Sequence, residues 1–360
     1  MSKKQQLSEA QDQQKSDSAC VEIHVLACGH GDMILLRLAH SRWGLIDCHL
    51  EGEAAKAKFF ARLEALGVRR LEFIILTHPD SDHYTGMADV VERFTRDGRE
   101  IGRFYDTTLN WRAVGLLVDA SGPEDEAGEY ARLVRLVLNS RIEQCSLHED
   151  HLPISIRGTP LKLVPIAPPE KTVIQPAQRV LLGESPGVGV NDLSIVLVLT
   201  VADPKGCLQV LLSADAESAA LNRALKIWQG HQDNPKRAAI FDVVKVPHHG
   251  SRNGHCKELC DCSPKDGKGT AVISVGNKYR LPRANVLRDY LDENWTVLST
   301  TTRRCSYRPN RLIEVFGRAL PTEVQSEQHD VILTWTPGES PLWTPREAEI
   351  LSFEVGNYFS

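Results

Sequence analysis

The chain has 360 residues, of which 42% are hydrophobic, and it carries a formal net charge of −5 at pH 7. This length and composition allow a large hydrophobic core, and the acidic balance excludes a general electrostatic attraction to nucleic acid. The sequence lacks an apolar run of about 18 residues, which a membrane helix would need. Its first 20 residues are polar, so we expect a disordered tail at 1–20 and a cytoplasmic protein with free thiols.

Short apolar runs separated by turn residues predict strands along most of the chain, and amphipathic patterns predict helices between them. The first strand is expected from Val21, and one helix is expected near 129–141. The region 168–189 is rich in Pro, Gly and Gln and is predicted to be a long loop. Antiparallel strands in two halves, each followed by helices, favour two packed sheets with helices outside.

A polar segment, "HPDSDH", follows the buried-strand pattern "LEFIIL" almost directly. Its four candidate metal ligands are His78, Asp80, Asp82 and His83. Carboxylates this close repel each other unless a cation or protons neutralise them, and imidazole together with carboxylate suits zinc, manganese or iron. The alternative is an acidic turn that caps the next helix, where Asp and Ser are common.

The same arrangement recurs at the ends of three other apolar runs. "GLIDC" contains Asp47, "LLSAD" ends with Asp215, and "VVKVPHHG" contains His248 and His249. Polar side chains at the ends of four strands favour a metal site that is built on rigid elements. A carboxylate such as Asp215 can bridge two ions about 3.5–4 Å apart, as in two-metal hydrolytic sites.

The order of seven short stretches resembles the metallo-β-lactamase superfamily and, within it, the hydrolase domain of ComEC-type competence proteins and their soluble relatives. These stretches are "CGHGDMILLR", "WGLIDC", "THPDSDHYTG", "NDLSIVLVL", "LLSAD", "VVKVPHHGSR" and "ISVGNKY". The resemblance implies an α/β (α+β) fold, a four-layered αββα sandwich with the metals at one edge. We place this hydrolase domain at 21–308 and a C-terminal extension, packed on the same domain, at 309–360.

The family motif His-x-His-x-Asp-His matches His78, Asp82 and His83. Asp80 stands where many members have the second histidine, and the ComEC-type branch also has Asp there. Because an oxygen ligand replaces a nitrogen at this position, the preference should shift from zinc toward manganese.

The resemblance also implies roles for the later motifs. Asp215 would bridge the metals, at least one of His248 and His249 would bind a metal, and Asp47 would orient the ligands. The implied cofactor is a pair of divalent ions, Zn²⁺ or Mn²⁺. In the early "GHGD" turn, Asp32 is expected to be structural rather than catalytic.

Two departures from the family pattern concern the site. Many members supply another histidine before the bridging Asp, and only His148 and His151 lie in that interval. A solvated pair of loop histidines is favoured over metal binding, in which case only one ion is tightly bound. Leu281 stands where the ComEC-type pattern has a histidine before a proline, which removes an expected contact to substrate or water.

The resemblance implies that a metal-activated water attacks a phosphodiester or another ester. We predict catalytic roles for Asp82, His249 and Asp47, with Asp82 as a possible proton acceptor. The predicted substrate-binding residues are His249, Ser251, Arg252 and Lys245. A helix cap and a surface position are the alternatives for Ser251 and Arg252, and Lys245 could instead be buried.

The function predicted from these residues is a metal-dependent phosphodiester hydrolase, with a nuclease acting on DNA or RNA as the first reading. The alternatives are a hydrolase of a small phosphodiester, cyclic nucleotide, lactone or thioester, and a catalytically weak scaffold or regulatory protein. The expected partners are nucleic acid or a small phosphodiester, and a protein of a DNA-processing or defence system, without a membrane. The arginine-rich segment "TTTRRCSYRPNR" is either a contact for a nucleic acid backbone or a solvated rim.

Overall fold

A computed structural model of the protein describes most of the chain from residue 21 to residue 344. The described ranges are 21–38, 42–107, 124–157, 159, 161–182, 187–203, 206–231, 239–264, 269–275, 281–300, 330–335 and 342–344. The predicted tail 1–20 and the arginine-rich segment 300–311 lie outside them, apart from the first residue of the latter. No helix within these ranges is both long and apolar enough to cross a membrane.

The described strands are short and follow the apolar runs of the sequence. In chain order they are β1 (Val21–Val25), β2 (Ile34–Leu38), β3 (Arg42–Ile46), β4 (Arg70–Ile75), β5 (Glu100–Asp106), β6 (Glu143–Ser146), β7 (Ile154–Ser155), β8 (Leu161–Ala167), β9 (Val196–Asp203), β10 (Gly206–Leu212), β11 (Val243–Lys245), β12 (Thr270–Ile273), β13 (Thr296–Ser299), β14 (Val331–Trp335) and β15 (Leu342–Thr344).

The described helices lie mainly between strands. They are α1 (Gly52–Ala65), α2 (Ser81–Tyr84), α3 (Met87–Arg96), α4 (Glu124–Asn139), α5 (Glu170–Leu181), α6 (Ser218–Gly230), α7 (Lys257–Cys260) and α8 (Ala284–Asp292), with 3₁₀ turns at Val190–Leu193 and Pro247–Gly250.

The strands form two sheets, with the order β15-β14-β1-β2-β3-β4-β5-β6 in the first and β13-β12-β11-β10-β9-β8-β7 in the second. In the first sheet β3 to β6 run parallel, and in the second β10 to β13 run parallel. The prediction of antiparallel meanders is therefore wrong for about half of each sheet. Helices connect these parallel strands because a parallel pair needs a long crossover.

Three apolar layers hold the sandwich together. Phe73 and Ile75 of the first sheet pack between the sheets against residues such as Leu197 and Leu212. A second layer packs α1, α3 and α4 on the outer face of the first sheet, and a third packs α6, α7 and α8 on the outer face of the second. This arrangement confirms the prediction of a four-layered αββα sandwich.

The predicted loop at 168–189 is wrong for its central part, which forms α5 (Glu170–Leu181). The turn-forming residues of this region are concentrated on either side of the helix, at 168–169 and 183–189. Between them stand good helix formers such as Glu, Lys, Gln and Leu, and Val173 is buried. Composition averaged over the whole region concealed this helical segment.

The C-terminal region contributes to the first sheet. Strand β14 pairs antiparallel with β1, so that Val331 lies opposite Val25 and Trp335 opposite Val21. Directly before this strand, Asp330 accepts a hydrogen bond from the backbone N–H of Ala27 at 2.8 Å and pairs with Arg62. Strand β14 is thus part of the first sheet, and its residues Val331, Leu333 and Trp335 belong to the core between the sheets. The domain boundary at 308 stays a prediction.

Candidate metal centre

The candidate ligands follow the carboxyl ends of parallel strands in both sheets. From the first sheet, Asp47 follows β3, His78 follows β4, and helix α2 carries Asp82 and His83. From the second sheet, Asp215 follows β10, and the 3₁₀ turn after β11 carries His248 and His249. Since parallel strands end at the same edge of a sheet, the fold brings these segments together.

Four side chains form the centre, which we call the ligand quartet: Asp82, His83, Asp215 and His249. One potential ligand atom from each lies within 4.8 Å of all the others. The distance from His83 Nε2 to Asp215 Oδ1 is 3.4 Å, and His249 Nε2 lies 3.3 Å from Asp82 Oδ2 and 3.6 Å from Asp215 Oδ1. Both sheets therefore contribute two ligands each.

Several buried polar atoms at this centre form no hydrogen bond. They include His78 Nε2, His83 Nε2, Asp215 Oδ1 and His249 Nε2. Leaving such atoms without a partner is costly, whereas imidazole nitrogen and carboxylate oxygen are ordinary ligands of Zn²⁺ and Mn²⁺. The donor set therefore fits a divalent metal, and the ring of His78 lies close enough to join it, with its centroid 4.1 Å from that of His83.

The other nitrogen of each histidine is held by the protein, which sets the direction of the ring. Asp47 accepts a hydrogen bond from His83 Nδ1 at 2.8 Å, and the carbonyl of Ser274 accepts one from His249 Nδ1 at 2.9 Å. A histidine that donates through Nδ1 presents Nε2 as a lone pair, as metal-binding histidines commonly do. Both Nε2 atoms of the ligand quartet accordingly face the centre.

The electrostatics of the metal-free protein are dominated by burial and by these neighbouring charges. Burial, helped by the charge of His83, lowers the pKa of His78 to about 3, so that this ring is neutral. Burial also opposes a charge on His83, but the carboxylates of Asp47 and Asp215 outweigh it and raise the pKa of His83. Any proton on a ligand nitrogen has to leave when a metal binds.

Two predicted ligands lie at the margin of the ligand quartet. Asp80 is the N-cap of α2 and accepts a hydrogen bond from the N–H of Ser81 at 2.7 Å, which is the capping alternative weighed for this segment. Burial raises its pKa, and it is not part of the quartet. His248 Nε2 lies 3.6 Å from Asp215 Oδ2, and its side chain is 21% exposed, whereas His249 is fully buried.

The predicted substrate contacts are placed in different surroundings. Ser251 and Arg252 lie directly after the His248–His249 turn; Ser251 is half-buried, and Arg252 is exposed, with Nε 3.4 Å from Asn285 Oδ1. Lys245 is only 1% exposed and forms an ion pair with Asp32. Lys245 is therefore buried, which is the alternative stated for it above, and a substrate at the surface would not reach its ammonium group.

Histidines outside the predicted ligand set also differ in position. His30 of the "GHGD" turn is buried, with its ring centroid 4.5 Å from that of His249 and Nε2 3.9 Å from Asp82 Oδ2. His30 is therefore a buried neighbour of the ligand quartet to which the sequence analysis assigns no role. His148 and His151 contact local groups after β6, and neither belongs to a described group of potential ligands.

Left-handed backbone conformation is concentrated at the centre. Asp47, Ala214, His248 and His249 have positive φ angles of 54°, 46°, 46° and 51°. This conformation is unfavourable for most residues other than glycine, and backbone strain of this kind collects at functional sites. Here it turns the chain sharply at the strand ends, so that consecutive residues can face the centre.

Asp47→Asn should weaken metal binding without removing a ligand. The wild-type carboxylate accepts hydrogen bonds from His83 Nδ1 and from the N–H and hydroxyl of Thr77, at 2.8, 2.8 and 2.7 Å. Asparagine tolerates the left-handed backbone but loses the charge that orients His83. We expect metal affinity to fall about 10–100-fold in a chelator competition, with unchanged stoichiometry.

The control is Thr77→Ser, which keeps a hydroxyl for Asp47. Affinity that stays unchanged in Asp47→Asn would show that Asp47 does not orient a ligand. Loss of an entire metal equivalent would instead show that Asp47 is itself a ligand.

The comparisons with known proteins give one family match and several distant structural similarities. Residues 26–96 match the model of the metallo-β-lactamase superfamily. No curated protein shows significant similarity to the chain. Similar solved structures include the metallo-β-lactamase GOB-18 from Elizabethkingia meningoseptica, at 13% identity and a TM-score of 0.34, covering 75% of this chain and 87% of that chain.

Two further solved structures show the same level of similarity. The class B3 di-zinc metallo-β-lactamase LRA-12 from an Alaskan soil metagenome is 13% identical, with a TM-score of 0.35 and coverage of 75% of this chain and 89% of that chain. A diphosphatase from the PhnP family is 12% identical, with a TM-score of 0.33 and coverage of 63% and 73%. The closer resemblance to ComEC-type proteins stays a prediction. The sandwich and the family match over residues 26–96 together identify the fold of this chain as that of the metallo-β-lactamases.

Proposed function

We propose that the protein is a metal-dependent hydrolase of phosphodiester bonds and that its substrate is nucleic acid. The observation that carries the proposal is the ligand quartet, in which three buried imidazole and carboxylate atoms lack hydrogen bonds and face one point. A bound divalent ion would supply a water of lowered pKa and neutralise negative charge on a phosphate. Zn²⁺ and Mn²⁺ both suit this mixture of nitrogen and oxygen ligands.

Two carboxylates of the ligand quartet have different roles in this proposal. Burial raises the pKa of Asp82, but the charges of His249, whose Nε2 lies 3.3 Å from Asp82 Oδ2, and of His83 outweigh it, so the pKa is lowered. A carboxylate held so firmly in its charged form suits metal binding better than proton transfer. Asp215 lies between His83 and His249 and is the natural bridging ligand for two ions.

The surface beside the centre supports an anionic substrate. Arg252 is exposed three residues after His249, and guanidinium groups bind phosphate oxygens in a bidentate manner. Ser251 can donate a hydroxyl hydrogen bond from the same turn. One observation favours a small phosphodiester as the second candidate: the net charge of −5 gives no general attraction to a polymer backbone.

The test is hydrolysis of single- and double-stranded DNA, RNA and bis(p-nitrophenyl) phosphate with added Mn²⁺, Zn²⁺ or Mg²⁺. Asp82→Asn should lower turnover by about a hundredfold or more, equivalent to about 3 kcal/mol, because it removes an anionic ligand. Asp97→Asn, at an exposed position after α3, is the matched control.

Each outcome of this test is informative. Metal-dependent cleavage of a polymer that Asp82→Asn loses and Asp97→Asn keeps would support the nuclease proposal. Turnover of the small diester alone would identify a small phosphodiester as substrate instead. Absence of turnover from a protein that binds metal would contradict hydrolysis of phosphodiesters and favour a lactone or thioester substrate or a scaffold.

A further inference from the structure

An ion pair lies in the interior beside the ligand quartet. Lys245 Nζ is 2.8 Å from Asp32 Oδ2, and each residue is only 1% exposed. Asp32 belongs to the turn between β1 and β2 of the first sheet, and Lys245 is the last residue of β11 in the second. The pair therefore crosses from one sheet to the other.

Each member of the pair also contacts the segments that carry ligands. The N–H of Asp32 donates to the carbonyl of Asp82 at 3.2 Å, and Asp32 Oδ1 lies 3.6 Å from His249 Nδ1. The hydroxyl of Ser213, two residues before Asp215, donates to the carbonyl of Lys245. The pair is thus one contact away from ligands of both sheets.

Stability alone is a poor explanation for this pair. Removing two charges from water costs several kcal/mol per ion, and apolar replacements of buried pairs are often neutral or stabilising. An ion pair fixes the distance and direction between a donor on one sheet and an acceptor on the other, and a hydrophobic contact does not. Metal sites tolerate little error in the separation of their ligands, so a fixed inter-sheet spacing has a direct use here.

We infer that the Asp32–Lys245 pair sets the spacing between the two halves of the ligand quartet, which makes Lys245 a positioning residue for metal binding. This inference rests on the proposed metal-dependent function. Lys245 does not touch the substrate in this view, in contrast to the contact expected from the sequence. Its ammonium acts on the ligands through Asp32, which contacts both Asp82 and His249.

The pair also bears on a second group of potential metal ligands, which contains Asp32. Atoms of Asp32, Asp47 and His83 lie within 4.8 Å of one another and could in principle hold a cation. Lys245 already supplies a positive charge to Asp32, and Asp47 is engaged by Thr77 and His83. We therefore expect no additional metal at this group.

The experiment compares Lys245→Met, the double variant Asp32→Asn/Lys245→Met and the control Arg99→Met. Arg99 is also buried, and it forms an ion pair with Glu64. It contacts the carbonyl of Val68 before the start of β4, at the opposite end of that strand from the ligands. Affinities for Mn²⁺ and Zn²⁺ are measured by chelator competition, alongside urea unfolding of the metal-free proteins and hydrolysis. Metal affinity is read independently of any catalytic activity.

Lys245→Met is expected to bind metal at least about tenfold more weakly, as is typical when a residue behind the ligands is lost. The double variant, which has no uncompensated charge, should regain stability but not metal affinity. Arg99→Met should lose stability only.

Two results would overturn the inference. One is wild-type metal affinity in a folded Lys245→Met. The other is recovery of both stability and metal affinity in the double variant, because the pair would then be purely structural. This second result can be measured even if Lys245→Met does not fold. If the double variant loses metal affinity while the wild type hydrolyses no phosphodiester, the positioning role stands and the proposed function fails.

Discussion

Asp215→Asn is expected to reduce metal-dependent hydrolysis by about a thousandfold or more, equivalent to roughly 4 kcal/mol of transition-state stabilisation. Asp215 is 4% exposed and lies within 3.6 Å of His83, His248 and His249, so it contacts candidate ligands that follow strands of both sheets. An amide keeps the shape of the side chain but removes the negative charge that a bridging ligand supplies.

The charge state of Asp215 supports this expectation. Burial alone would raise its pKa, but the positive charges of His249 and His83 outweigh burial and hold the pKa well below its usual range. The side chain is therefore a carboxylate at neutral pH, also in the metal-free protein. Metal ions would replace protons on the histidines as the partners of that charge.

Metal stoichiometry, measured after dialysis, and turnover of the substrate found in the hydrolysis assay check this prediction. The matched control is Asp242→Asn, since Asp242 accepts a hydrogen bond from Gln209 N–H at 2.7 Å in the same sheet, before β11 begins. We expect Asp242→Asn to lower stability and to keep bound metal. Full metal content and activity in Asp215→Asn would show that the site is not a bridged centre.

The position of the centre can be predicted from the sequence because each ligand segment directly follows an apolar run. "LEFIIL" leads to His78, and "VLLSAD" leads to Asp215, so the strand pattern indicates where the polar side chains stand. Strand direction is harder to predict, because an apolar run has the same pattern in parallel and antiparallel sheets. For this reason the sequence does not predict the parallel strands, although these strands bring the ligands together at one edge.

Contacts between residues that are distant in sequence could not be predicted from local patterns. The pairing of β14 with β1 joins residues about 300 positions apart, and no local pattern indicates it. The partner of Lys245, Asp32, is similarly remote in sequence. At Asp80, the sequence allows both a metal ligand and a helix cap, and only the fold shows that its carboxylate accepts a hydrogen bond from the Ser81 N–H.

The adjacent histidines provide the second prediction: His249→Asn should lower metal affinity by about a hundredfold or more, and His248→Asn by less than about tenfold. His249 is fully buried, its Nδ1 is held by Ser274, and its Nε2 faces Asp82 and Asp215. A ligand fixed in this way is costly to replace by water. His248 is partly exposed, and among the described residues Asp215 is its single ion-pair partner, so that water can take its place more readily.

The two substitutions form a matched pair. Both histidines have left-handed backbone, with φ of 46° and 51°, and asparagine tolerates this conformation well, so backbone strain should change little in either variant. Chelator competition with Mn²⁺ and Zn²⁺ gives the affinities, and urea unfolding of the metal-free proteins shows whether the fold is retained. A reversed order of the two effects would assign the ligand to His248. Equal losses would mean that each histidine binds one ion of a two-metal centre, with Asp215 between them, since Asp215 lies 3.6 Å from both.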